Sequence, residues 1–128
     1  MMSTSILPLA YCCVLVVDDD YFLAEATQEA LIEEGATILG PYGKAADALR
    51  SLDKQSPTLA VVDLNLGTGP DFTVARALAL RNIPTIIATG YDKSIIPSDL
   101  VNMPCLQKPI TRSKLLTALI DLNKSIYK

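Results

Sequence analysis

Five short apolar runs punctuate the chain: Cys13 to Val17, Thr37 to Leu39, Leu59 to Val62, Thr85 to Ala88 and Met103 to Leu106. None alternates with polar residues, as a strand with one wet face would, so each reads as a strand covered on both sides. Helix-patterned segments separate them. Parallel neighbours need such crossovers, and the alternation predicts an α/β domain with a parallel sheet. The whole chain has 128 residues, a single-domain length able to bury roughly two thirds of its unfolded surface around one core.

The helical segments carry their own stop and start signals. From Asp20 to Glu34, apolar residues fall at Phe22, Leu23, Ala26 and Ala30, and Gly35 follows where a left-handed residue ends a helix. Lys44 to Leu52 is a short helix ahead of Pro57. Asp71 is placed to cap a helix whose apolar stripe is Val74, Ala75 and Leu78, with Pro84 beyond its end. Lys93 to Val101 is the weakest helical pattern, because Pro97 cuts it. Thr111 caps the last helix, and Leu115, Leu119, Leu122 and Ile126 fall along one face.

Composition narrows the chemistry. Half the residues are hydrophobic and a fifth charged, as in ordinary globular domains. Eleven Lys and Arg against fourteen Asp and Glu give a net charge of −3, a balance that favours neither nucleic acid nor an anionic membrane. No basic residue precedes Lys44, so the first third of the chain should carry a negative field that suits cations or basic partners. The apolar stretch from Ile6 to Val17 lacks a positive leader, contains Pro8 and runs into three aspartates, unlike a signal peptide, and it is too short to span a bilayer. Three cysteines, Cys12, Cys13 and Cys105, do not make a disulfide framework, and a reducing, cytoplasmic setting is expected. With no histidine, the Ser/His/Asp triad, histidine-ligated zinc and imidazole acid-base chemistry are all excluded.

In open parallel sheets the ligand site lies beyond the carboxyl ends of the strands. That rule selects Asp18, Asp19 and Asp20 after the first strand, Asp63 after the third, Thr89 and Gly90 after the fourth, and Lys108 after the fifth. Taken singly, Asp20 and Asp71 have the plainer reading of helix caps. Taken together, clustered carboxylates repel unless a cation or proton joins them, and oxygen donors without His or Cys suit Mg²⁺, which keeps waters and completes its shell with a phosphoryl oxygen. Asp63 is then a nucleophile able to form an acyl phosphate, with Lys108 and the Thr89 hydroxyl as further donors to the phosphoryl oxygens. Gly90 leaves room for the entering group.

The segments VLVVDDD, AVVDLNLG, IIATGYD and CLQKPI resemble, in order and in placement, the four signatures of receiver domains of two-component response regulators. The resemblance covers nearly the whole chain. It implies a doubly wound, flavodoxin-like sheet in the order 2-1-3-4-5 with five helices, and phosphorylation of Asp63 by a phosphohistidine donor on a histidine kinase or histidine phosphotransfer protein. Asp18 and Asp19 match the acidic pair holding Mg²⁺, Asn65 the residue whose backbone carbonyl completes the metal shell, and Thr89 and Lys108 the phosphoryl-binding pair. The Lys108–Pro109 bond is expected to be cis. Residues 1–11 form an N-terminal extension in this reading and residues 12–128 a single receiver domain without an output domain. Such a chain is not an enzyme with external turnover. It acts as monomer or weak dimer, through a downstream protein target or as phosphate shuttle or sink, with no nucleic acid and no membrane insertion.

One departure stands out. Receivers usually place an aromatic three residues before the lysine, and here that position is Cys105. DLNLG, ATGYD and LQKP are similar to a stand-alone subgroup, common in alphaproteobacteria, that carries a TGY motif and lacks this aromatic. Tyr91 is the candidate replacement switch, its alternative being a half-exposed loop tyrosine. Ile95, Ile96, Val101 and Leu116 form a candidate apolar partner patch, or ordinary packing. Two rivals remain. A haloacid-dehalogenase-type phosphatase would use Asp18 and Asp20, but leaves Asp63 unexplained. A phosphorylation-independent docking module would keep the fold and ignore the chemistry.

Overall fold

A computed structural model describes residues 6–125. Five strands, β1 (Cys13–Val17), β2 (Thr37–Tyr42), β3 (Leu59–Asp63), β4 (Thr85–Thr89) and β5 (Cys105–Gln107), form one parallel sheet in the order β2-β1-β3-β4-β5. The α-helices are α1 (Tyr21–Glu33), α2 (Ala45–Leu52), α3 (Thr73–Leu80) and α4 (Arg112–Ser125). Ile126, the last residue of the stripe expected on the final helix, lies outside the described residues.

Strand alternation divides the core into two layers. Val14, Val16, Leu59, Val61, Ile86 and Ala88 face α1 and α4, where they meet Leu31, Leu115 and Leu119. Leu15, Val17, Ala60 and Val62 face α2 and α3, against Ala48, Leu52, Val74 and Leu78. Both faces of the central strands are therefore apolar, which is why their sequences run without alternation.

Four expectations need correction. The resemblance implies five helices, but between β4 and β5 the chain makes two 3₁₀ turns, Lys93–Ile95 and Ser98–Leu100, and no α-helix. Pro97, between them, has no amide to donate and cannot continue a helix. On α1, Phe22 is 80% exposed and Leu23 46%, while Ala24, Ala30 and Leu31 are the buried residues. The Asp20 cap sets the helical register, with its carboxylate accepting from the Phe22 and Leu23 amides, and that register turns Tyr21 and Phe22 to solvent. Asp71 accepts from the Thr73 amide at 2.8 Å, two residues on as an Asx turn, and the residue at the N-cap of α3 is Phe72. The four-residue apolar patch is not one surface either: Val101 is exposed, whereas Leu116 packs against the core.

β1 covers Cys13–Val17, the full apolar run read as the first strand. Before it, Leu9 is fully buried among the α1 and α4 side chains, and its amide bonds the Glu34 carbonyl at 2.8 Å. Gly35, at φ +98°, ends α1 as expected. β2 runs to Tyr42, further than its apolar run, because a bulge puts one more residue on β2 than on β1 between the pairs Leu15–Leu39 and Val17–Tyr42. Gly40 sits in that bulge at φ +102°, with a Cβ there only 2.9 Å from the Val16 carbonyl oxygen. The Gly40–Pro41 bond is cis, and so is Lys108–Pro109, as the resemblance implies.

Candidate functional site

Strand register assembles the site. Val17 pairs with Val62 and Asp63 with Ala88, so Asp18, one residue past β1, comes level with Asp63 at the last residue of β3. Thr89 pairs with Gln107 and its carbonyl accepts the Lys108 amide at 2.7 Å, which fixes the lysine just beyond the same edge. Strands from the middle of the sheet and its β5 edge thus deliver their polar ends to one place.

The Lys108 ammonium bridges two carboxylates, at 3.1 Å from Asp18 Oδ2 and 3.0 Å from Asp63 Oδ2. The other Asp63 oxygen, Oδ1, accepts the Asn65 amide at 3.0 Å, and Asp18 Oδ1 accepts the Asp20 amide at 2.9 Å. Only 5% of Asp63 is exposed, so its carboxylate is nearly shielded from solvent. Burial pushes the Asp18 carboxyl above its ordinary 3.8, and the Asp20 amide and Lys108 ammonium reduce that rise without cancelling it. Burial alone would lower the Lys108 value, but the carboxylates of Asp63 and Asp18 outweigh it and hold the ammonium above its ordinary 10.5.

Asp18, Asp19 and Asp63 each offer a carboxylate oxygen, and these oxygens lie within 4.8 Å of one another. Three carboxylates against one ammonium leave unbalanced negative charge in a partly desolvated place. Hard oxygen donors with no Cys or His among them are the set that suits Mg²⁺, and the residues fit such an ion. Asp19 is the exposed member and leaves an open side through which a metal would keep water.

Thr89 is fully buried, and its hydroxyl oxygen accepts the Tyr91 amide at 2.9 Å, which leaves the O–H free to donate. Asn65 lies two residues past the end of β3, after the buried Leu64, its side-chain oxygen accepting the Gly67 amide at 3.2 Å. Tyr91 is half-buried at the rim, and its carbonyl accepts from the Gln107 side chain at 3.3 Å. Sequence reasoning missed Gln107, which ties the loop after β4 to β5. Its signal was position: a polar residue between Leu106 and Lys108 in a strand otherwise read as apolar. Asp20 is the α1 cap and does not join the cluster. Cys105, where an aromatic is usual, is half-buried on β5, and burial pushes its thiol upward, with Lys93 opposing.

Comparison with known proteins agrees with this geometry. The model of the response regulator receiver domain matches residues 14–120. The chain belongs to the response regulator receiver family. As a receiver, it is 30% identical over 116 residues to the sensory transduction protein LytT of Bacillus anthracis, covering 87% of this chain and 47% of that one. The receiver spans about half the length, or less, of the curated relatives it matches. The solution structure of SdrG from Sphingomonas melonis Fr1 superposes with a TM-score of 0.74 at 32% identity, over 95% of this chain and 99% of that one. A CheY-like receiver from Methanospirillum hungatei JF-1, 24% identical over 88% and 94% of the two chains, shares the fold with a TM-score of 0.77. Membership of the family implies two-component phosphorelay signalling with a histidine kinase partner and Mg²⁺ at the acidic pocket. Receiver domains are not classical enzymes. No described helix is long and apolar enough to cross a membrane.

Proposed function

We propose that Asp63 is the phosphoacceptor of this receiver and that a phosphohistidine on a kinase or phosphotransfer protein is the donor. The observation that carries the reading is the buried Asp63 carboxylate, held by the same ammonium that holds Asp18. In the transfer the phosphorus–nitrogen bond of the donor breaks, its electron pair stays on the imidazole, and an Asp63 oxygen forms the new bond to phosphorus. Lys108 leaves its carboxylates to neutralise the phosphoryl oxygens, and the free O–H of Thr89 donates to them. Asp18, Asp19 and Asp63, with the Asn65 backbone carbonyl, would hold Mg²⁺, which supplies charge neutralisation of the same oxygens when bound.

The receiver in this reading is a stand-alone, cytoplasmic protein of the TGY type, a monomer or weak dimer that signals through a protein contact or serves as phosphate shuttle or sink. Supporting the TGY type are the ATGYD and LQKP segments and Cys105 in the aromatic position. Tyr91, whose amide bonds the Thr89 hydroxyl, is the switch: engagement of Thr89 by phosphate would pull on that bond and move the ring.

Intact mass after incubation with Mg²⁺ and acetyl phosphate tests the chemistry. One added phosphoryl group is expected in the wild type, none in Asp63→Ala and none when Mg²⁺ is chelated. No gain under conditions that label another receiver would leave the phosphorylation-independent docking module as the function of this fold.

A further inference from the structure

Directly beneath the acidic pocket, on the α1/α4 side of the sheet, lies a cavity of about 460 Å³. Its floor is Val16, Val61 and Ala88, from three adjacent strands. Solvent reaches that floor: Val61 and Ala88 are each 6% exposed, whereas their strand neighbours Ala60, Val62, Ile86 and Ile87 are at 0–1%. The space exists because small side chains face one another there. Ala26 and Ala30, one turn apart on α1, look across at Ala88, and α4 starts only at Arg112, after the Pro109–Ile110 segment that forms the far wall.

We propose that this cavity is a binding site for a small, neutral, largely apolar molecule of one or two rings carrying a single hydroxyl. The volume falls within the roughly 300–1,000 Å³ of small-molecule sites, and apolar walls offer water no partners. The two cations of the lining are already engaged, Lys108 with Asp18 and Asp63 and Arg112 with Glu33, so neither is free to hold an anionic ligand. Rim hydroxyls remain, Thr27 from α1 and Thr111 before α4, to meet the one polar group. Thr111 accepts the Lys114 amide and keeps its O–H to donate. The depth of the site selects a small molecule over a docked protein helix, because the floor is the sheet itself, beneath both covering helices. Lys108 and Asp18 line the same cavity, so an occupant packs against two residues of the acidic pocket.

The probe is 2-naphthol, titrated without Mg²⁺ or phosphodonor into protein carrying ¹³C-labelled alanine methyls. Saturable shifts of the Ala26, Ala30 and Ala88 methyls are expected. Ala30→Leu fills the cavity, weakening the probe at least tenfold and raising Tm. Ala26→Leu, at the exposed rim, does the same should the buried substitution fail to fold. No saturable shift up to the solubility limit, shifts that spare these methyls, or equal affinity in the filled variants would each overturn the site. Because phosphorylation plays no part in the measurement, its outcome is separate from the fate of Asp63 as phosphoacceptor.

Discussion

Lys108 does two jobs that pull in opposite directions. In the structure it neutralises Asp18 and Asp63, yet phosphorylation at Asp63 requires it to turn to the phosphoryl oxygens. Removing it leaves two largely desolvated carboxylates facing each other, and unpaired charge of that kind is costly. Lys108→Met is therefore expected to destabilise the metal-free fold by about 2 kcal/mol at neutral pH, a discount on the full burial value because the ammonium keeps some solvent contact. Chemical denaturation with and without Mg²⁺ checks this: the metal should restore much of the loss. An unchanged midpoint without metal would mean that the ion pair contributes nothing to the fold. Residues of this kind were legible from sequence, since Asp18, Asp19, Asp63, Thr89 and Lys108 each follow an apolar run, whereas Gln107 carried no motif and only its hydrogen bond to Tyr91 shows its place.

At the scale of elements, β1 and α1 share a hinge of three aspartates with divided roles. Asp18 and Asp19 point their oxygens at the pocket, while Asp20 closes the first turn of α1 through two amides. Asp20→Ala should cost about 1 kcal/mol, the usual value for a lost N-cap, with the loss read as a lower Tm. Because Asp20 also donates its amide to Asp18, fraying of this turn would loosen the metal ligand, and a modest fall in Mg²⁺ affinity should accompany the lower Tm. Equal stability of variant and wild type would show that the turn is held by packing alone. The element that sequence misjudged is the one between β4 and β5. Pro97 was visible, but a proline shows only that a helix breaks; two 3₁₀ turns formed because Asp92 caps the first through the Ser94 amide and Leu100 anchors the second in the core. On α1 the sequence pattern picked Ala30, which is buried, together with Phe22 and Leu23, which meet solvent, and passed over Ala24 and Leu31, which face the core.

For the whole molecule, the acidic pocket contributes a dependence of stability on pH and metal. The folded Asp18 carboxyl sits above its ordinary value, so in the window just above 3.8 the native state holds more protons than the unfolded chain. Metal-free stability from this group therefore falls as pH rises through that window, then levels off. The Lys108 contribution has the opposite partner: raised above 10.5, it is present in full at lower pH and is lost as pH rises past that point. Mg²⁺ favours the ionised carboxylates, so it should flatten the acidic slope and raise Tm at neutral pH, by about 2.7 kcal/mol of stability at a hundredfold excess over its Kd. Thermal melts between pH 4 and pH 8, with and without Mg²⁺, check the sign, and a metal-free Tm that climbs steadily over this range would contradict it.

Sequence alone determined the parallel α/β class, the strand order through its family signatures, and the set of residues at the carboxyl edge, because burial on both faces and turn chemistry are written locally. It could not determine which side of α1 meets the core, how far β2 extends past its apolar run, or the void above Val61 and Ala88. Those depend on how separate elements fit against one another. A cavity is the space that side chains distant in sequence fail to fill, and only the packed tertiary structure decides that Ala26, Ala30 and Ala88 share one.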